Sequence, residues 1–313
     1  MRYFVKKSVS FILTLLLVSL LAFFAFQIIP GDPAIKMLGT QATPEKIAAL
    51  QEQLGLNRPM PVRYLSWLGD FFFGDMGNSY SYHMSVRSML AGKLPITLTL
   101  TFMSFILIVA GAVPLGIYTA KHKDKPVTKA INVLNQIAMS IPPFFMGILF
   151  TYLFGIVLRW FTPGGFVSYQ SNIGGFIGYL FFPAVAIAVP KLAMATKMLQ
   201  GSLLSEMQLD YVRTAYSRGN RTHGVLYHHV LKNAMIPVVT FLGMTLADIV
   251  AGSIIIEQVF SIPGLGRLLI TSIANRDYPV VQAIIVCIAV IVIIINYVVD
   301  IIYQILDPRV RGQ

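Results

Sequence analysis

Six stretches of roughly 20 apolar residues, separated by short charged segments, constrain this chain more than any other feature, because that length crosses the hydrocarbon core of a bilayer. They fall near 9–29, 96–120, 130–158, 176–198, 235–256 and 280–302. Hydrocarbon offers no partners to backbone N–H and C=O groups, so such segments must close their hydrogen bonds internally, as helices. The expectation is an all-α polytopic membrane protein with six transmembrane helices. Composition agrees: of 313 residues, 56% are hydrophobic and 12% charged, about half the charge of a soluble domain. The first run follows Arg2, Lys6 and Lys7, as in a signal peptide. No small-x-small cleavage site follows 13–26 before Pro30, so it reads as an anchor.

Net charge is +11, yet the cations sit in short loops between apolar runs. A nucleic-acid binder needs a basic face on a soluble module, so nucleic acid is excluded as a partner and membrane lipid accounts for the charge. Lys121, Lys123, Lys125 and Lys129 crowd one connection against Asp124 alone, and Arg213, Arg218, Arg221 and Lys232 crowd another, with Lys197 at its entry. With the basic N-terminus, they define a cytoplasmic side carrying both termini. The chain then divides into a cytoplasmic N-terminus and first span (1–29), an extracellular element (30–95), and a five-helix core (96–303). The core carries a cytoplasmic loop at 199–234, and a cytoplasmic tail follows at 304–313. Segment 30–95 is too polar to span and too long for a plain turn. Within it, Thr43-Pro44-Glu45 starts a helix through Leu54, and Gly55 stops it. Cys287, the only cysteine, lies in an apolar run and reads as a small buried hydrophobe.

The loop 199–234 is longer than a chain reversal needs. Leu203, Leu204, Met207 and Tyr211 recur at helical spacing; after Gly219, Val225, Leu226, His229 and Val230 share a face of a second stretch. Two short helices joined at a glycine would make a knob able to enter a groove on a soluble partner. From the residues alone, an interfacial helix on anionic headgroups, favoured by Arg213, Arg218 and Arg221, is equally open.

The chain has no ATP-binding loop: its only Gly-Lys pair, Gly92-Lys93, is followed by Leu94. Neither a zinc helix nor a nucleophile elbow is present, and His228-His229, adjacent on a helix, point about 100° apart, a poor metal pair. They read as polar residues on the loop's wet face.

Within the spans, Asp248 is the main intramembrane charge. It either hydrogen-bonds neighbouring hydroxyls such as Thr245 across helices or lines a cargo cavity favouring cationic or amino-terminal groups. Gly243, Ala247 and Ala251 form a small-residue packing stripe on the same span. Lys191, after Pro190, reads as snorkelling toward the cytoplasmic interface. Pro142-Pro143, Pro183 and Pro190 interrupt spans as hinges or kinks, with kinks expected. The turn 262–266 is pre-bent by Pro263, Gly264 and Gly266.

Asp210-Tyr211-Val212-Arg213-Thr214-Ala215, then Gly219, then Asn233-Ala234 and Ile236-Pro237, resemble the coupling motif of peptide-type ABC importer permeases. Related members carry a Glu-Ala-Ala…Gly pattern instead. The family's arginine after Ala215 is Tyr216 here, and its basic-glycine pair is Arg218-Gly219. Further matches run along the whole chain: Pro30-Gly31-Asp32-Pro33, Leu54-Gly55-Leu56, Gly74-Asp75-Met76-Gly77-Asn78-Ser79, and Ile141-Pro142 with Phe144-Phe145. Glu257-Gln258-Val259-Phe260-Ser261-Ile262-Pro263-Gly264-Leu265-Gly266-Arg267, Arg276-Asp277-Tyr278-Pro279 and Leu306-Asp307-Pro308-Arg309 complete the set. In order and spacing they resemble the B-type permease subunit of dipeptide, oligopeptide and nickel importers.

That resemblance implies a type I ABC importer permease in a bacterial cell membrane, itself no enzyme and holding no cofactor. It implies a heterodimer with a second homologous permease and two cytoplasmic ATPases that use ATP. An extracellular or lipid-anchored binding protein would deliver peptide cargo, with a nickel chelate as the alternative. Asp210, Tyr211, Arg213, Thr214, Ala215 and Gly219 would couple to the ATPase, Asp248 would lie on the substrate path, and Glu257, Phe260, Pro263, Gly264 and Gly266 would belong to the extracellular gate. A self-sufficient secondary transporter would instead predict an inverted repeat with broken helices and paired intramembrane charges. No such repeat is evident.

Overall fold

The computed structural model describes residues 2–28, 33–38, 42–53 and 55–306. The motif residues Pro30-Gly31-Asp32 and Asp307-Pro308-Arg309, the helix end at Leu54, and all but the first residues of the tail lie outside them. The described residues form helices α1 (Arg2–Ile28), α2 (Pro33–Leu38), α3 (Pro44–Gln53), α4 (Met60–Phe72), α5 (Val86–Lys121), α6 (Pro126–Ser140) and α7 (Pro143–Phe150). There follow α8 (Ile173–Glu206), α9 (Asp210–Ser217), α10 (Thr222–Gly224), α11 (Leu231–Val259), α12 (Leu265–Ala274) and α13 (Tyr278–Leu306). Among the described residues, five helices are long and apolar enough to cross a membrane, and a sixth crossing requires counting a bent pair as one.

That pair lies where a span kinked at Pro142-Pro143 is expected over 130–158. Helices α6 and α7, the latter extended by a π-helical turn at Thr151–Val157, meet at 100°. The cause is local. A residue before proline is pushed out of the α region, and Pro142-Pro143 places two residues in that position in succession. Ile141 (φ −94°, ψ 119°) and Pro142 (φ −62°, ψ 144°) are both extended, and Pro143 begins the next helix. The break far exceeds a kink. Pro183 and Pro190 behave oppositely: α8 runs through both without a break, with both rings buried.

The chain forms two compact units. The first comprises Met1–Ile96 and Gly264–Ile293. Its core joins Val86 and Leu90 of α5 to Leu265 and Leu268 of α12 and to Val280, Ala283 and Ile284 of α13, with Cys287 half-buried against it. Beside α1, Phe23 of that helix meets Tyr64 and Trp67 of α4, and the Tyr64 and Ser19 hydroxyls pair at 2.8 Å. Helix α3 starts and stops as its sequence signals, with the Lys46 N–H on the Thr43 hydroxyl and Gly55 at φ +66°.

The second unit comprises Thr97–Pro263 and Ile294–Gln313. Helix α8 is its axis, packed on α6, α7 and α11. It is capped by the Asn172 side chain, which accepts from the Gly175 N–H at 3.0 Å. Glycines let α5 approach α8: a Cβ at Gly116 would come within 2.8 Å of Leu199, and one at Gly111 would overlap Leu192. On α11, Gly243 is closed by Val299, while Ala247 is half-buried and Ala251 exposed. Among the described residues, the expected small-residue stripe is therefore closed at Gly243 and open at Ala251.

Candidate functional site

Helix α9 follows the end of α8 after a turn at 207–209. Thr214 and Ser217 return their hydroxyls to the Asp210 and Arg213 carbonyls. Gly219 ends it in the left-handed region, at φ +84°, where glycine carries no steric penalty. Its N–H bonds to the Tyr216 carbonyl, and the Asn220 amide caps the Ala215 carbonyl at 3.1 Å. Val212 and Ala215 are buried, at 1% and 6% exposure, whereas Asp210, Arg213, Thr214, Ser217 and Arg218 face outward.

The stretch after Gly219 departs from the expected second short helix. Helix α10, a π-helical turn at Val225–Val230 and α11 run on without interruption, so the amphipathic stretch is the first turns of the long span Val225–Val259. Val225, Leu226 and Val230 are buried beneath α9, as the apolar spacing predicts, but His229 is exposed, as is His228. The knob is thus one helix seated on the base of a span.

A tyrosine holds it there. The Tyr211 hydroxyl donates to Glu206 Oε2 at 2.6 Å and accepts from Asn233 Nδ2 at 3.2 Å, linking α8, α9 and α11. Burial and the Glu206 hydrogen bond raise the Tyr211 pKa. Beside it the Ser202 hydroxyl donates to the Ala234 carbonyl at 2.9 Å. Asn233-Ala234 stand out in the sequence only as part of a motif, and Glu206 carries no sequence signal. Their roles depend on contacts between helices.

The turn ending the second unit is closed from several sides. Glu257 is fully buried and its Oε1 accepts from the Thr97 hydroxyl of α5 at 2.6 Å. Phe260 is 1% exposed, its carbonyl receives the Tyr179 hydroxyl of α8 at 2.5 Å, and its ring lies against Phe161. The Ile262 N–H returns to the Glu257 carbonyl at 2.8 Å. The left-handed residue is Ser261 (φ +56°), so the bend expected from Pro263 and Gly264 is set two residues earlier. In the first unit, Gly264 precedes α12 and Gly266 is buried in its first turn.

The first unit holds a second buried carboxylate. Asp277 accepts from the Ser79 hydroxyl at 2.5 Å and from the Tyr80 and Ser81 N–H groups at 3.0 and 3.2 Å. The motif beginning at Gly74 places them: Gly74 (φ +87°) and Gly77 (φ +76°) turn the chain, and the Asp75 carboxylate accepts from the Gly77 N–H. Burial, the largest cause, with nearby Asp277 adding to it, pushes the Tyr80 phenol up to about 12.

Asp248 is not the main buried charge; Glu257 and Asp277 are the fully buried carboxylates among the described residues. Asp248 pairs with Lys191 Nζ at 2.7 Å, with side-chain exposures of 67% and 27%. Thr245, the expected partner, is buried. Lys191, seven residues before the end of the apolar run 176–198, turns to Asp248 of α11.

Two family models cover nearly the whole chain. One described as "Binding-protein-dependent transport system inner membrane component" matches residues 112–312, and one described as "Binding-prot-dependent transport system membrane comp, N-term" matches 1–101. A probable peptide ABC transporter permease protein of Sinorhizobium fredii is 34% identical over 309 residues, 99% of each chain. The oligopeptide transport system permease protein AppB of Bacillus subtilis is 34% identical over 312 residues, again 99% of each. A chain from a structure of inward-facing conformations of the MetNI methionine ABC transporter superposes with a TM-score of 0.54 at 17% identity. It covers 70% of this chain and 96% of that one, and shares the fold. A helical, multi-pass chain whose motifs sit on an exposed short helix and on closed turns, matched end to end by these relatives, belongs to the binding-protein-dependent transport system inner membrane components, the permeases of ABC importers.

Proposed function

We propose that this chain forms one half of a membrane pathway that admits peptides, the other half being a second, homologous permease. Two ATPase subunits in the cytosol supply the energy, this chain holding no cofactor of its own, and an extracellular or lipid-anchored binding protein delivers the cargo. The relatives matched along their whole length, a peptide and an oligopeptide permease by name, favour peptide over a nickel chelate. The positive residues Lys121, Lys123, Lys125, Lys129, Arg213, Arg218, Arg221 and Lys232 support an orientation with α9 and both termini on the cytoplasmic side of a bacterial cell membrane.

The observation that carries the reading is the construction of α9. Its apolar residues Val212 and Ala215 seat it on the base of α11, Tyr211 ties it to two spans, and Asp210, Arg213 and Thr214 face away from the chain. A short helix fixed at its base and polar on its free face can enter a groove and pass on a rigid-body motion. The turn carrying Glu257, Phe260 and Pro263, with Gly264 and Gly266 after it, is the extracellular gate region, and Asp248 faces the cargo path.

Replacing Gly219 tests this. No atom lies within 4 Å of a Cβ there, so any side chain fits the space but strains the left-handed backbone, by about 1 kcal/mol or more. In vesicles containing the full complex, Gly219→Leu is expected to leave insertion intact and to uncouple ATP hydrolysis from peptide uptake. Normal coupled uptake would refute the role of α9.

A further inference from the structure

We propose that the Lys191–Asp248 pair is a binding site for a zwitterionic ligand, one whose free ammonium and carboxylate groups exchange with these two side chains. The proposal rests on the reading of Asp248 as facing the cargo path, and names what that path recognises.

Depth comes first. Asp248 lies 13 residues after the start of the apolar run 235–256 and 8 before its end. At about 1.5 Å per residue that is roughly 20 and 12 Å, farther than its short side chain reaches, and Lys191 meets it there at 2.7 Å. Charges at that depth are costly unless they meet a partner, water or cargo.

Exposure decides among these. The pair satisfies its two charges at 2.7 Å, but its own chain does not cover it, Asp248 being 67% exposed. The neighbours on the free face of α11 are apolar: Met244 is 65% exposed and Ile255 51%, at spacings of four and seven residues from Asp248, which on a helix is one stripe. An ion pair joining α8 to an uncovered apolar stripe of α11 makes a small polar recognition point on an apolar wall.

The chemistry then selects the ligand. A molecule bearing one charge would pair with one side chain and strand the other. A molecule bearing both exchanges charge for charge: its ammonium takes Asp248 and its carboxylate takes Lys191. A site that must pair each of its own polar groups rejects analogues lacking either counterpart. The ligand class is therefore the short peptide or amino acid with both termini free. Met244 beside the pair adapts to varied side chains through its three rotatable bonds.

The test uses the purified membrane complex of this chain with its partner subunits, titrated with dialanine, N-acetyl-dialanine and dialanine amide. Dialanine is expected to bind at least about tenfold more tightly than either blocked form. Asp248→Asn is expected to abolish the penalty on the acetylated ligand alone, and Lys191→Met the penalty on the amide alone. Asp248→Glu and Lys191→Arg, which keep both charges, are expected to keep the preference. Equal binding of all three ligands to the unaltered complex would overturn the proposal, as would an unchanged preference in both neutral variants. If single variants fail to assemble, the double variant Lys191→Met/Asp248→Leu decides. Assembly with the preference lost supports the site; assembly with unaltered uptake and preference shows a structural pair that seals against the second permease. Failure of the underlying reading looks different: the unaltered complex, supplied with its binding protein, would then move no peptide at all.

Discussion

Helix α9 turns Asp210, Arg213, Thr214 and Ser217 to the outside and rests on two buried residues, Val212 and Ala215. The turn at 257–263 does the reverse, enclosing Glu257, Phe260 and Ile262 at 0–1% exposure and tying them to α5 and α8. Both segments carry family motifs, and in sequence both look like strings of polar and glycine-proline residues. The physics differs. On α9 the motif lies mostly on the surface, so its residues are free to touch something else. In the turn the motif is inward chemistry, so its residues determine the shape of the loop. The Asp277 cradle, in the other unit, follows the second pattern, with a buried carboxylate taking one hydroxyl and two backbone donors.

This contrast yields graded expectations for stability. The largest effect belongs to the turn: Phe260→Ala removes a fully buried ring and is expected to cost about 3–5 kcal/mol, read as a lowered unfolding midpoint in detergent. A midpoint within error of the unaltered protein would show that the turn is not held by its interior.

Next comes the cradle, where alkaline pH supplies the probe. Tyr80 has its pKa raised from 10.0 to about 12 in the folded chain, chiefly by burial. The folded state therefore retains the phenolic proton longer than the unfolded state, so this contribution is complete below pH 10 and declines as pH rises through 12. The decline is expected to reach roughly 2–3 kcal/mol, and Tyr80→Phe should remove it, flattening the unfolding midpoint between those limits. Identical alkaline profiles for the two proteins would contradict the buried phenol.

The smallest effect belongs to α9. Arg213 reaches only Asp210, at 3.3 Å, with side-chain exposures of 78% and 94%. Arg213→Ala should change stability by less than about 0.5 kcal/mol while lowering peptide-stimulated ATP hydrolysis. A large loss of stability would move Arg213 from the docking face into the scaffold.

Much of this was legible in the sequence because it runs along the chain. Apolar length revealed the spans, Thr43 and Gly55 bracketed α3, and the Asp210–Ala215 motif marked α9 with Gly219 at its end. The break at Ile141–Pro143 was also within reach, since each of two consecutive residues precedes a proline, yet a kink was expected. What could not be read were meetings between distant segments. Lys191 and Asp248 are 57 residues apart, Thr97 and Glu257 160, and Ser79 and Asp277 198. Periodicity places a residue on a face but does not say which helix covers that face. For the same reason the stretch after Gly219 looked like a separate short helix: its apolar pattern is also that of a long span's first turns.

Cross-linking within the assembled complex tests the docking role of α9 most directly. In a Cys287→Ser background, a single cysteine replaces Ser217 on the exposed face of α9, and another replaces Met84, an exposed residue of the loop before α5. A short thiol cross-linker is expected to join position 217 to an ATPase subunit and position 84 to none. Cross-linking to the ATPase from position 84 with none from 217 would contradict both the docking role and the orientation of the chain.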